Sequence, residues 1–275
     1  MRLKLISASL YIVLLISLLF VYKDLRIKIK ESFISPINIK DIYQYSLIIN
    51  LENDKLSHER LIKMRKKYIK YNLPLNLFPG LNWKKDKDIL NQYPIIRNKP
   101  NLWESEWGFA GSFYKALSYA YKNNYPYLLF LENDSIPIYE DPATFYRVFN
   151  YALKNLPDNG TNIYFLGYNE YCGVNNKKNK RGWVKRYDMP SKYIGGSHSI
   201  LFSKDSIIKI FNYLKYKKID KPIDNWFKYL ERMKILSIWY WEGDLSKNKM
   251  FCGLFRQLDT GCKRKMEVLR RNYTK

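Results

Sequence analysis

The residues best suited to chemistry form a short run, Glu132-Asn133-Asp134, directly after the apolar stretch Tyr127-Leu128-Leu129-Phe130-Leu131. In an extended backbone, residues two apart face the same side. The triplet therefore presents two carboxylates together at the carboxyl end of a strand, where open α/β sheets bind ligands. Paired carboxylate oxygens suit hard divalent cations such as Mn²⁺ or Mg²⁺. A cation held there would act as a Lewis acid on a phosphate-bearing group, neutralising the charge that builds on a departing diphosphate. An acidic pair after a strand is also a common solvated turn, so the surrounding sequence has to decide.

Charge and composition narrow the classes of partner. The 275 residues include 48 Lys and Arg against 25 Asp and Glu, a formal net charge of +23. Such a surface attracts polyanions. The basic residues are spread along the whole chain, however, and no zinc-finger spacing, basic-zipper heptad or RNA-recognition aromatic motif accompanies them. No dedicated nucleic-acid partner is expected; an anionic nucleotide or a phospholipid headgroup suits the charge equally well. A hydrophobic fraction of 47% and an aromatic fraction of 17% exclude wholesale disorder. Cys172, Cys252 and Cys262 form no CxxC pair and allow one internal bridge at most, with Cys252–Cys262 the candidate and isolated thiols the alternative.

The elements that must position the acidic triplet follow from hydrophobic period and punctuation. Tyr45 to Leu51 reads as a buried strand, followed by a helix that Ser57 can cap, with Leu61, Met64 and Tyr68 on its apolar face and Asn72-Leu73-Pro74 as its stop. Leu75 to Phe78 forms a second strand. Ala110, Phe113, Tyr114, Leu117, Ala120 and Tyr121 make the stripe of a helix preceded by Gly108, and Tyr127 to Leu131 is the strand that delivers the acids. Further on come a helix from Pro142 to Asn155, strands at Asn162 to Leu166 and Ser199 to Phe202, and a helix capped by Ser203 or Asp205. Alternating strands and helices predict an α/β domain, Rossmann-like, with a mainly parallel sheet flanked by helices.

Ahead of this domain, Leu5 to Tyr22 is apolar and free of charge, near the lower limit for a helix that spans a bilayer. No A-x-A-like cleavage site follows it, so an uncleaved signal anchor is expected. The expected organisation is an N-terminal transmembrane segment over residues 1–22, a stem over 23–41 and a single catalytic domain over 42–275. Arg2 and Lys4 precede the span, while Lys23, Arg26, Lys28 and Lys30 follow it, a balance that does not favour a lumenal domain.

Taken in order, several segments resemble glycosyltransferase family 25, which contains lipooligosaccharide and collagen galactosyltransferases. Ile48-Ile49-Asn50-Leu51, followed by a basic helix containing Arg60, resembles the family's opening strand and nucleotide-binding turn. Phe78-Pro79-Gly80 and Gly108 to Ala120 look like the glycine-containing step and the helix before the metal motif. Leu129 to Asp134 resembles the apolar strand ending in Glu-Asp-Asp, with Asn133 in place of the central acid. Ile194-Gly195-Gly196-Ser197-His198-Ser199 looks like the glycine-histidine strand, and Lys221-Pro222-Ile223-Asp224 is close to the family's Pro-x-Asp. The resemblance runs from Tyr45 to about Asp224, with a fainter match near Gln257. The early arginine of the opening turn is missing, and Arg60 is its substitute.

This resemblance implies a GT-A-like fold and a metal-assisted, inverting transfer of a hexose, galactose or glucose, from a UDP-linked sugar to a glycan or protein acceptor. It implies Asp134 as a direct ligand of Mn²⁺ or Mg²⁺, Glu132 directed to the ribose or the metal's water shell, and His198 as a third ligand, with a structural histidine as the alternative. Asn50, Leu51, Arg60, Glu132, Gly195 and Gly196 would line the donor site. An inverting transfer needs a base for the acceptor hydroxyl. Asp224 is the candidate, with Trp226 and Phe227 as a sugar-stacking face; helix capping is the alternative. Trp103, Trp107, Trp183, Trp239 and Trp241 read mainly as packing residues, and residues 175–182 as a basic loop. Of the sequons at Asn133, Asn159 and Asn272, Asn159 is the best exposed turn. The resemblance suggests a type II single-pass protein with its domain in the ER or Golgi lumen; the flanking charges leave a cytoplasmic orientation open. A catalytically weak, membrane-tethered glycan-binding or scaffold protein that retains the fold is the alternative function.

Overall fold

A computed structural model describes residues 38–52, 54–96, 104–157, 160–170, 182–186, 194–242 and 251–257. The chain divides into two compact units, Met1–Ile37 and Asn38–Lys275, and all described residues belong to the second. The expected span at Leu5 to Tyr22 lies outside them; among the described residues no helix is long and apolar enough to cross a membrane. Cys172, Cys262, Trp103, Asn159, Asn272 and residues 175–181 of the basic loop also lie outside.

The second unit opens with helix α1 (Ile39–Gln44). Asn38 caps it by accepting from the Lys40 and Asp41 N–H groups, and Asp41 returns a bond to the Asn38 N–H. Ile39, Ile42 and Tyr43 are buried, so the stem expected through residue 41 overlaps an element of the folded unit. Strand β1 (Ser46–Asn50) leads into α2 (Lys55–Lys70). The cap of α2 is Asp54, which accepts from the Ser57 N–H at 2.8 Å; Ser57, expected to cap, is buried inside the first turn instead. Asn72, with φ of 48°, reverses the chain after α2, a conformation asparagine tolerates better than most residues. Then follow β2 (Leu77–Pro79), α3 (Lys87–Asn91), α4 (Glu104–Lys122), β3 (Tyr127–Glu132), β4 (Ser135–Pro137) and α5 (Pro142–Lys154). Asp141 caps α5, with Pro142 in its first turn as expected. The remaining elements are β5 (Asn162–Glu170), β6 (Gly182–Lys185), β7 (Ile194–Ser203), α6 (Lys204–Leu214, capped by Ser203), α7 (Ile223–Arg232), β8 (Ser237–Glu242), β9 (Phe251–Gly253) and β10 (Phe255–Gln257).

The main sheet runs β2-β1-β3-β7-β5-β8-β6, with β9 also paired to β5; β10 and β4 form a separate ribbon. Strands β2, β1, β3, β5 and β8 point one way, whereas β7, β6 and β9 run against them. The mainly parallel expectation holds by strand direction, but β7 is an antiparallel insertion at the centre. A parallel return needs a crossover, usually a helix. No helix lies between β5 and β7 among the described residues, so β7 folds back beside β5.

Alternation sorts the strand residues onto two layers. Leu47, Ile49, Leu128, Phe130, Ile200 and Phe202 face α4, α6 and α7 in a core that includes Phe113, Ile207, Ile210, Trp226 and Phe227. The opposite layer holds α1, α2 and α5, tied by edge-on ring contacts of Tyr43 with Tyr68 and Phe149, and of Phe145 and Phe149 with Phe255. Trp107 and Trp241 are buried, and the Trp183 indole donates to the Ala152 carbonyl at 2.9 Å, in line with packing roles.

Candidate functional site

Strand β3 ends at Glu132, and the chain turns through Asn133 and Asp134 before entering β4. The turn is not a solvated one: Asn133 is 9% and Asp134 1% exposed. Burying polar groups this far requires partners, and α2 and β1 supply them. The Asn133 amide donates to the Ser57 hydroxyl and carbonyl, and reaches the Asn50 side-chain oxygen at 3.5 Å. Ser57 donates to the same Asn50 oxygen at 3.0 Å and accepts from the Leu51 N–H at 3.0 Å. One hydroxyl thus joins the end of β1, the first turn of α2 and the acidic turn. The Asn133 sequon lies within this buried network.

Arg60 lies one helical turn beyond Ser57, and its Nη1 approaches Asp134 Oδ2 at 3.4 Å. Glu132 accepts from the Gln257 side chain at 3.2 Å. Burial, reinforced by the Asp134 charge, pushes the Glu132 carboxyl up from 4.5 to about 8; Gln257 and Arg60 oppose the rise, and the Asp224 charge adds to it.

Because β7 runs antiparallel to β3, its amino end lies at the carboxyl ends of β3 and β5, with Gly195 opposite Asn169. Gly196 has φ of 84°, which favours glycine, and its N–H donates to Asp224 Oδ2 at 3.4 Å. Asp224 Oδ1 accepts from the Asn225 N–H at 2.8 Å, and Pro222, not Asp224, is the cap residue of α7. The expected stacking face is absent, because Trp226 and Phe227 are both 0% exposed and belong to the core. An amphipathic helix that begins at Ile223 turns both rings inward.

His198 does not join the carboxylates as a third ligand. No three His, Cys, Asp or Glu side chains among the described residues gather as a metal-holding group. The imidazole is buried, and its Nε2–H donates to the Phe255 carbonyl at 3.3 Å. A Cβ on Gly167 would lie 2.5 Å from that nitrogen, so the glycine makes room for the ring. Burial lowers the imidazole to about 4, keeping it neutral, and its buried Nδ1 has no hydrogen-bond partner among the described residues.

Beside the acidic turn lies a pocket of 310 Å³. Leu51, Ser57 and Arg60 form one wall, Trp83, Gly108 and Phe109 another, and Glu132 and Asn133 part of its lining. Gly108 lies inside α4 rather than ahead of it, and a Cβ there would come within 2.8 Å of the Leu81 carbonyl; the glycine lets α4 approach the segment that carries Trp83. Apolar walls with a few convergent polar groups are the ordinary make-up of a small-molecule site. Sequence reasoning missed Ser57 as a site residue, along with Trp83 and Phe109, and took Gln257 only as a faint match. The D-x-x-S spacing of Asp54 and Ser57, with asparagines at 50 and 133, was the available signal.

No protein-family profile matches the chain, and no curated protein sequence does. Among solved structures, it is similar to a mannose-1-phosphate geranyltransferase from Thermus thermophilus, at a TM-score of 0.38 and 10% identity over 72% of this chain and 73% of that one. It is also similar to a structure assigned as a glucose-1-phosphate thymidylyltransferase from Bacillus anthracis in complex with sucrose, at a TM-score of 0.29 and 11% identity over 72% and 68% of the two chains.

Proposed function

We propose that the protein is a glycosyltransferase, of the kind its resemblance to family 25 implies, that transfers a hexose from a UDP-linked sugar to a glycan or protein acceptor. The observation that carries this reading is the buried turn that sets Glu132 and Asp134 beside Arg60 at the carboxyl end of β3, next to a pocket with aromatic walls. In this reading the pocket takes the nucleoside, with Trp83 and Phe109 offering flat apolar surface and Ser57 and Asn133 offering polar atoms.

In this reading two carboxylates of the acidic turn offer a divalent cation its protein ligands. Glu132 and Asp134 are hard oxygen donors, and the repulsion that helps push Glu132 up to about 8 is one a bound cation relieves. Both would hold Mn²⁺ or Mg²⁺, which when bound would supply Lewis-acid neutralisation of the diphosphate. Arg60 adds a fixed positive charge beside Asp134. In this reading Asp224, whose oxygens accept from the Gly196 and Asn225 N–H groups, would take the proton of an acceptor hydroxyl.

One observation favours a second reading. Arg60 already neutralises Asp134, so the guanidinium itself could face the diphosphate and make donor binding independent of metal.

A screen of UDP-sugars for hydrolysis and transfer by the full chain, with and without Mn²⁺, tests both. Under the main reading at least one donor is turned over only with the metal, and Asp224→Asn lowers transfer by about 10²- to 10⁴-fold while UDP affinity is kept. Metal-independent UDP binding that Arg60→Ala abolishes would select the second reading. No binding of any UDP-sugar under either condition would overturn both.

A further inference from the structure

Helix α2 carries Ser57 and Arg60 to the site on one side, and its other side presents an arrangement the site does not use. Leu61, Met64 and Tyr68 are buried against the sheet. Pointing away from that line are Ile62 and Ile69, 45% and 71% exposed, with Leu56 at the face's margin 53% exposed. Successive residues of an α-helix turn by about 100°. Ile62, Lys66 and Ile69, at i, i+4 and i+7, therefore share one outward stripe, flanked by exposed Lys55, Lys63, Arg65 and Lys70. Glu59 is the only acid in the helix.

We propose that this outward face of α2 docks on an anionic phospholipid surface. Exposed isoleucines have no partner in water, and the cations around them exclude a dry apolar interface; branched apolar side chains ringed by Lys and Arg are the make-up of a helix lying in a bilayer interface. Charge complementarity selects the anionic bilayer as occupant, because acidic headgroups attract such cations while the apolar side chains enter the acyl boundary. A second copy of the chain would bring the same cations against themselves. Docking there would hold α2 parallel to the surface, with its site-bearing first turns near the membrane plane.

Acetylation of lysines, followed by mass spectrometry on the full chain with phosphatidylcholine nanodiscs, tests the proposal without reference to activity. Adding phosphatidylglycerol to the discs is expected to slow modification of Lys55, Lys63, Lys66 and Lys70 by roughly tenfold. Lys209 and Lys217, on the opposite helical layer, should stay unchanged. The double variant Ile62→Ser, Ile69→Ser, at two exposed positions, should lose most of that protection while the chain still melts in one cooperative transition. Uniform slowing of lysines on both layers would mean general attraction of a basic chain and overturn the proposal. Protection of the α2 lysines that is equal without anionic lipid would also overturn it, leaving a protein contact as the occupant.

Discussion

Glu132 and His198 carry shifts of opposite sign, and their titration windows overlap. Glu132 keeps its proton to about pH 8 in the native protein but loses it near 4.5 when unfolded, so between these values the native state binds more protons and stability rises as pH falls. His198 gains a proton near pH 6.5 when unfolded and only near pH 4 when native; in that interval the unfolded state binds more protons, and stability falls as pH falls. At full expression the histidine's contribution is about 3 kcal/mol. Metal-free protein should therefore lose stability as pH rises from 6.5 to 8 and hold level between about pH 6.5 and 4.5, where the two slopes cancel. Thermal melts should show a loss from pH 6.5 to 8 that Glu132→Gln removes, and in Glu132→Gln a loss on acidification from pH 6.5 to 4 that the further change His198→Gln reduces. Asp134→Asn makes a separate point, since under the proposed function it removes an anionic ligand at nearly constant volume: Mn²⁺-supported UDP affinity should drop by more than about tenfold while the fold survives, as read by calorimetric titration. At this scale Glu132 and Asp134 were legible because spacing and an apolar strand mark them. The role of His198 was not, because a glycine on another strand, Gly167, decides where its ring can go.

Among the elements, those with strong periodicity were legible: β1, β3, α4, α5 and α6 form close to where apolar pattern and caps put them. The short strands β4, β6, β9 and β10 were not, since three or four residues carry too little period to read. The direction of β7 was hidden for another reason, as strand direction depends on the connection rather than on the strand's own residues. The α2 cap was misplaced because Asp54 and Ser57 are both good caps and only the tertiary partners Asn50 and Asn133 draw Ser57 inward. Ser57→Ala should thus act beyond its helix. It strips partners from the buried Asn133 amide and should cost about 1–3 kcal/mol in denaturant titrations, with weaker UDP binding. Gly108→Ala tests the pocket wall in the same way: a new methyl against the Leu81 carbonyl must push α4 and the Trp83 segment apart, at a cost of about 1–3 kcal/mol.

For the molecule as a whole, the boundary at Asn38 sets what can be removed. Deletion of residues 1–37 should leave a unit that unfolds cooperatively. Deletion of residues 1–44 also takes Ile39, Ile42 and Tyr43 out of the core, at about 2–5 kcal/mol for each large buried side chain, and should abolish the cooperative transition. Circular dichroism of the two truncated chains distinguishes them. The bond from Gln257 to Glu132 spans 125 residues, and β10 also pairs with β4 directly after the acidic turn. A nascent chain can therefore assemble β1, α2, β2 and β3 well before the segment that braces Glu132 has been synthesised. Contacts so distant in sequence close late, because loop entropy must be overcome before they add stability. Full bracing of the acidic turn thereby waits until translation has passed residue 257: a nascent chain stalled before it would hold the acids in place without the strand that braces them.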